Sequence, residues 1–169
     1  MPSFRFAARV LACAAAVLIA GGSADTPAVT RVLFLCPHGA AKSVLASSHF
    51  AKLAKERGLR VRVDFAGTEP DPTIAPAVVE LLKKAGTPVP AGPPRRVTPE
   101  DLGAADVVIS LGCDVSGMQV PAATLRNWDV PPPGVDLAKT DEAILQRVTE
   151  LVEELIAAER KAAAPASPR

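Results

Sequence analysis

From residue 31 to residue 159 the spacing of the apolar residues switches repeatedly between two periods, and this switching restricts the fold more than any other property of the chain. Residues 31–35 (R-V-L-F-L) form a short continuous apolar run, which reads as a buried strand. Over residues 43–57 the period becomes helical, with Ala46, Phe50, Leu53 and Ala54 on one face and Gly58 as the stop. Residues 59–65 alternate with period two and predict a second strand. After a turn over residues 67–72, Ile74, Val78, Leu81, Leu82 and Ala85 mark the face of a second helix that Gly86 ends. Residues 88–94 read as a Pro/Gly loop, and Thr98 as the N-cap of a short helix over residues 99–102. Residues 106–111 predict a third strand and residues 124–130 a short fourth. Ile144, Leu145, Val148, Leu151, Val152, Leu155 and Ile156 stripe a last helix over residues 141–160. Strands alternating with helices predict an α/β fold. It is a three-layer sandwich, with a central four-stranded parallel sheet and helices on both faces. In such a sheet a ligand binds beyond the carboxyl ends of the strands, so the end of the first strand matters most.

The first thirty residues stand apart from this pattern. Arg5 and Arg9 precede an apolar run over residues 10–20, and Gly22, Ser23 and Ala24 follow it. That order of charge, apolar run and small residues is that of a secretory signal. The run is too short for a bilayer, which needs about 20 apolar residues, so an uncleaved anchor is the weaker alternative. The expected organisation is a signal peptide over residues 1–24, a linker over 25–30, one domain over 31–160 and a flexible tail over 161–169. The mature protein would be periplasmic or secreted, with no membrane contact of its own. Nineteen basic against eighteen acidic residues give a formal net charge of +1, and no basic stripe points to nucleic acid. Of three cysteines, Cys13 leaves with the signal, so Cys36 and Cys113 remain, free to pair or not. Nothing in the pattern asks for a metal or a cofactor.

The chemistry concentrates in Cys36-Pro37-His38-Gly39-Ala40-Ala41-Lys42-Ser43, between the first strand and the first helix. A helix N-terminus leaves backbone N–H groups unpaired and carries partial positive charge. Small residues let the backbone of His38, Gly39, Ala40, Ala41, Lys42 and Ser43 curl around one anion. Cys36 would lie at the bottom of that cradle, its thiolate favoured by the dipole and by Lys42. Ser43 would bond the sulfur or cap the helix. His38 reads as a loop brace rather than an acid or base. A nucleophile beneath a bound oxyanion is the geometry for thiol attack on phosphorus or arsenic.

At these residues the chain resembles the low-molecular-weight protein tyrosine phosphatases and the related thiol-dependent arsenate reductases, which carry Cys-x5-Arg-Ser after a first strand like Val32-Leu33-Phe34-Leu35. The resemblance extends to Ala66-Gly67-Thr68, Ala105-Asp106-Val107-Val108-Ile109, Leu111-Gly112-Cys113 and Asn127-Trp128. It implies Cys36 as nucleophile, Lys42 as anion clamp and Ser43 as support for the thiolate. Three departures stand out. Lys42 replaces the planar fork of an Arg by a point charge. Pro37 removes one N–H donor. The general acid, an Asp followed by Pro, is expected where Pro132 stands in Trp128-Asp129-Val130-Pro131-Pro132-Pro133, and Asp129, the candidate acid, lies three positions early. Cys113 falls near the cysteine that resolves the first thiol in the reductases. Three readings follow: a cysteine-dependent phosphatase-like hydrolase of a phosphorylated substrate, which leads; an arsenate reductase using Cys36 and Cys113; and a non-catalytic module that binds a phosphate-type oxyanion.

Overall fold

A computed structural model describes residues 29–121 and 124–164. The signal expected over residues 1–24 lies outside the described residues, as does most of the linker and the end of the tail. The described elements are β1 (Thr30–Cys36), α1 (Lys42–Glu56), β2 (Val61–Gly67), α2 (Pro76–Lys84), α3 (Pro99–Ala104), β3 (Val107–Ser110), β4 (Leu125–Asn127) and α4 (Leu137–Ala163). The four strands form one parallel sheet in the order β2-β1-β3-β4.

This is the expected sandwich, with two unequal outer layers. On one face Val32, Phe34, Val107 and Ile109 pack against α1, α2 and α4. Phe34 carries this layer, with ring centroids 5.6 Å from Phe50 of α1 and 5.8 Å from Trp128 beyond β4. His49 of α1 and Asp141 of α4 add a hydrogen bond of 2.7 Å. On the other face Leu33, Leu35, Ala66 and Val108 pack with Leu102 of α3, Val97, Ala105, Leu125 and the segment carrying Cys113, Val115, Met118 and Val120. Because both faces of β1 are covered, its sequence is continuously apolar rather than alternating. β2 is an edge strand, and its first half does alternate, with Arg62 and Asp64 exposed.

The element boundaries moved where local hydrogen bonds outweigh apolar period. β2 begins at Val61 rather than at residue 59, because the Leu59 N–H returns to the Ala54 carbonyl (2.9 Å) and closes α1. α4 begins at Leu137, four residues before the expected start at residue 141, where the Asp136 carboxylate accepts the Lys139 N–H (3.0 Å). It runs on to Ala163, into the expected tail, through an Ala-rich stretch of high helix propensity without any apolar face. Thr98 caps α3 as expected, in a reciprocal box with Asp101. Among the described residues no helix is long and apolar enough to cross a membrane.

The chain adds β2 on one side of β1 and β3 on the other. The carboxyl end of β1 is therefore the switch point of the sheet, where flanking connections diverge and leave a crevice.

Candidate oxyanion site

Cys36 is the last residue of β1, in register with Gly67 of β2, and the Leu111 N–H bonds the Leu35 carbonyl beside it (2.8 Å). Its Sγ lies 3.2 Å from Ser43 Oγ, with both residues buried. Ser43 bonds the sulfur rather than capping the helix. The N-cap is Ala41, whose side chain accepts nothing, so the start of α1 is open.

The loop between them faces outward with its carbonyls. Pro37 O accepts the Glu69 N–H (2.8 Å) and the Thr68 hydroxyl (3.4 Å), His38 O accepts the Asp71 N–H (3.0 Å), and Ala40 O accepts the Ala75 N–H (3.0 Å). In a trans peptide the N–H points opposite to the C=O. The N–H groups of His38, Gly39 and Ala41 are therefore turned away from the 68–75 segment, and among the described residues they donate to no protein acceptor. Pro37 costs the cradle only the donor of the Cys36–Pro37 peptide. The β2–α2 connection thus shapes the loop from behind.

Two glycines make this close approach possible. Gly39 has φ of +62°, and a Cβ on Gly67 would lie 2.7 Å from the Gly39 nitrogen and 2.9 Å from the Pro37 oxygen. Neither contact can relax, since both are with backbone.

Lys42, the first residue of α1, is partly buried and has no ion-pair partner among the described residues. Its Nζ would lie 3.0 Å from a Cβ at Gly112, whose φ is +83°. The ammonium therefore stands against the turn that follows β3 and carries Cys113. Cys113 is half-buried, with Sγ 3.3 Å from the Ser110 hydroxyl, which also donates to the Cys113 carbonyl (3.1 Å). Burial pushes the Cys113 thiol up from its ordinary value, the Ser110 hydroxyl pulls it back, and the charge of Cys36 pushes it up further.

The other candidates stand further out. His38 is exposed, its Nδ1 3.4 Å from Asp71 Oδ1 on the outer side of the loop, which suits a brace. Asp129 is exposed just past β4, at the correct end of the sheet, with no hydrogen bond or ion pair among the described residues. Two strand spacings, roughly 10 Å, separate β4 from β1. The segment after it is pinned instead by the Thr140 hydroxyl, which donates to the Pro131 carbonyl (3.0 Å).

Sequence reading alone missed Ser110, Gly112 and the part played by the 68–75 segment. A serine inside an otherwise apolar buried strand was the available signal for the first. A cleft of about 680 Å³ lies at the other end of the sheet, where Thr30 opens β1 beside Leu155 and Ala162. A cradle of N–H groups over a thiol needs room for only one tetrahedral ion.

The chain is similar to known proteins. The family described as low molecular weight phosphotyrosine protein phosphatase matches residues 31–162. A putative arsenate reductase of Halobacterium salinarum is 27% identical over 138 residues, covering 78% of this chain and 96% of its own. Among solved structures, the thioredoxin-dependent arsenate reductase of Corynebacterium glutamicum is 28% identical, with a TM-score of 0.70 over 79% of this chain; the chain spans 65% of that protein's length. The low molecular weight protein tyrosine phosphatase of T. tengcongensis shares the fold, with a TM-score of 0.64 at 24% identity over 76% of this chain and 98% of its own. With the family match running from the start of β1 almost to the end of α4, this chain belongs to the low molecular weight phosphotyrosine protein phosphatase family.

Proposed function

We propose that the protein is a cysteine-dependent hydrolase of phosphate monoesters that works after export from the cytoplasm. The observation that carries this reading is the buried Cys36 sulfur beneath an uncapped helix start, in a loop whose Pro37, His38 and Ala40 carbonyls are engaged on the far side. The inward N–H groups and Lys42 bind the phosphoryl oxygens and stabilise the charge that builds on them in the transition state. Cys36 Sγ attacks phosphorus, the S–P bond forms as the P–O bond to the leaving group breaks, and Ser43 donates to the thiolate. Water then displaces Cys36 and releases phosphate. With Pro132 in place of an acid and Asp129 displaced, the leaving alkoxide is unassisted, a loss of typically ~10²–10⁴ in rate. The enzyme should favour esters with acidic leaving groups.

Hydrolysis of an aryl phosphate by the mature chain under reducing conditions tests this, beside Cys36→Ser. Release that persists in Cys36→Ser would overturn it. Phosphate that raises Tm without any turnover would reduce the protein to an oxyanion-binding module. Export rests on the order of residues in the first 24, and sequencing the N-terminus of the secreted chain should find Asp25 first.

A second reading, arsenate reduction, is favoured by two free thiols at the carboxyl side of the paired strands β1 and β3 and by the similarity to reductases at 27–28% identity. Cys36 adds to As(V) and water leaves. The Cys113 thiolate then attacks Cys36 Sγ. The S–S bond forms as the S–As bond breaks, the electron pair stays on arsenic, and arsenite departs. A dithiol reductant must then restore both thiols. A Cys36–Cys113 disulfide trapped after single turnover of arsenate would support this route over hydrolysis.

A further inference from the structure

We propose that Ser110 is a positioning residue for Cys113, holding its sulfur at the carboxyl edge of the sheet and donating to it when it ionises. The inference rests on the second reading above, in which Cys113 acts after Cys36. Ser110 is buried and is fixed on both sides: its carbonyl accepts the Trp128 N–H (2.8 Å), and it pairs with Leu35 in the β1–β3 ladder. The left-handed turn at Gly112 brings the chain back over it, so that one hydroxyl meets both the Cys113 carbonyl (3.1 Å) and the Cys113 sulfur (3.3 Å).

A serine hydroxyl has one proton and cannot donate to both. While Cys113 is a thiol, Ser110 donates to the carbonyl and accepts from S–H. When Cys113 ionises, the hydroxyl turns to the sulfur, where a charge-assisted bond is stronger than the neutral one it leaves. The change is one torsion, with no movement of backbone. A hydroxyl that served only to close the turn would need the carbonyl contact alone.

The charged groups around Cys113 do not supply this service. Cys36 opposes its ionisation. Asp114 is turned to the Ser116 N–H (2.8 Å). Lys42 stands against Gly112 from α1. Ser110 is the side chain that meets the sulfur, where the backbone of Leu111 and Cys113 helps less, and the same pairing of a buried serine with a cysteine occurs at Ser43 and Cys36.

The test is the pH dependence of iodoacetamide alkylation at Cys113, followed by mass spectrometry in a Cys36→Ser chain. Ser110→Ala should raise the midpoint and slow alkylation at pH 7.5 roughly tenfold, while the plateau rate at high pH is unchanged. Ser110→Thr should restore the midpoint. An unmoved midpoint with a lowered Tm would overturn the proposal and leave Ser110 as a turn cap. If Ser110→Ala fails to fold, Ser110→Thr against Ser110→Val makes the same comparison at matched volume. The readout needs no turnover. If the shift appears while the chain with both cysteines never forms a Cys36–Cys113 disulfide after arsenate turnover, the arsenate reading is lost and the role of Ser110 stands.

Discussion

Two cysteines lie at the carboxyl side of adjacent strands, Cys36 closing β1 and Cys113 on the turn after β3, each with its sulfur against a buried serine hydroxyl, 3.2 Å for Cys36 and 3.3 Å for Cys113. Everything around them differs. Cys36 is buried at the mouth of a 15-residue helix, under backbone N–H groups that the 68–75 segment has turned inward. Cys113 hangs on an open turn, half-exposed, with burial and the charge of its neighbour pushing its thiol up. A sulfur–hydroxyl pair is therefore not what makes an oxyanion site. The helix start and the outward carbonyls make it, because they concentrate unpaired donors on one point.

The comparison breaks most visibly if the two cysteines are removed in turn. Cys36→Ser should reduce aryl phosphate hydrolysis by more than about 10³-fold, while Cys113→Ser should keep it within roughly twofold to threefold. Equal losses in both would mean that hydrolysis needs the pair, and that the two regions form one catalytic unit.

The glycines sharpen the same contrast through stability. Gly67→Ala drives a methyl into the backbone of the Cys36 loop and should cost about 3 kcal/mol, some 10 °C in Tm, together with phosphate binding. Gly112→Ala also meets a neighbour at 3.0 Å, but that neighbour is the movable tip of Lys42. Its cost is the left-handed backbone alone, about 1 kcal/mol, and phosphate binding should survive. Thermal melts with and without phosphate decide this, and a reversed order would mean that the turn at Gly112 supports the site more than β2 does.

How much of this could be read beforehand follows the range of the interactions. β1 and the Cys36–Ser43 loop were legible because strand, small residues and helix are contiguous in sequence. Thr98 was legible as a cap for the same reason. The start of α4 was not, since Asp136 caps it from outside the apolar stripe. The outward carbonyls of Pro37, His38 and Ala40 depend on donors about 30 residues away, which no local pattern announces. Lys42 was identified as the cation of the site, but its lean toward Gly112 was invisible, because it depends on how α1 and β3 meet.

That lean gives a smaller, more specific prediction. Lys42→Gln removes the charge at similar length and should weaken phosphate binding roughly tenfold, with the melting temperature in its absence little changed. Lys42→Arg offers two parallel donors where the lysine has a point charge, and should tighten binding. Isothermal titration with phosphate reads both, and an affinity indifferent to all three side chains would mean that the backbone N–H groups alone hold the anion.

The smallest effect concerns the influence of one thiol on the other. Burial is the larger cause of the raised Cys113 value, and the charge of Cys36 adds to it. Replacing Cys36 by Ser removes only the second cause, so the midpoint for Cys113 alkylation should fall yet stay above that of a free thiol. The sign carries over to stability. An unfolded chain releases the Cys113 proton at lower pH than the folded one, so the folded state loses stability as pH rises past the ordinary thiol value, and the loss stops growing above the folded value. In Cys36→Ser that loss should be smaller. Alkylation rates and melts from pH 7 to 10 check both halves. A midpoint that does not move when Cys36 is replaced would mean the two regions are electrostatically separate, and a reaction passing from one sulfur to the other would then lack the proximity it needs.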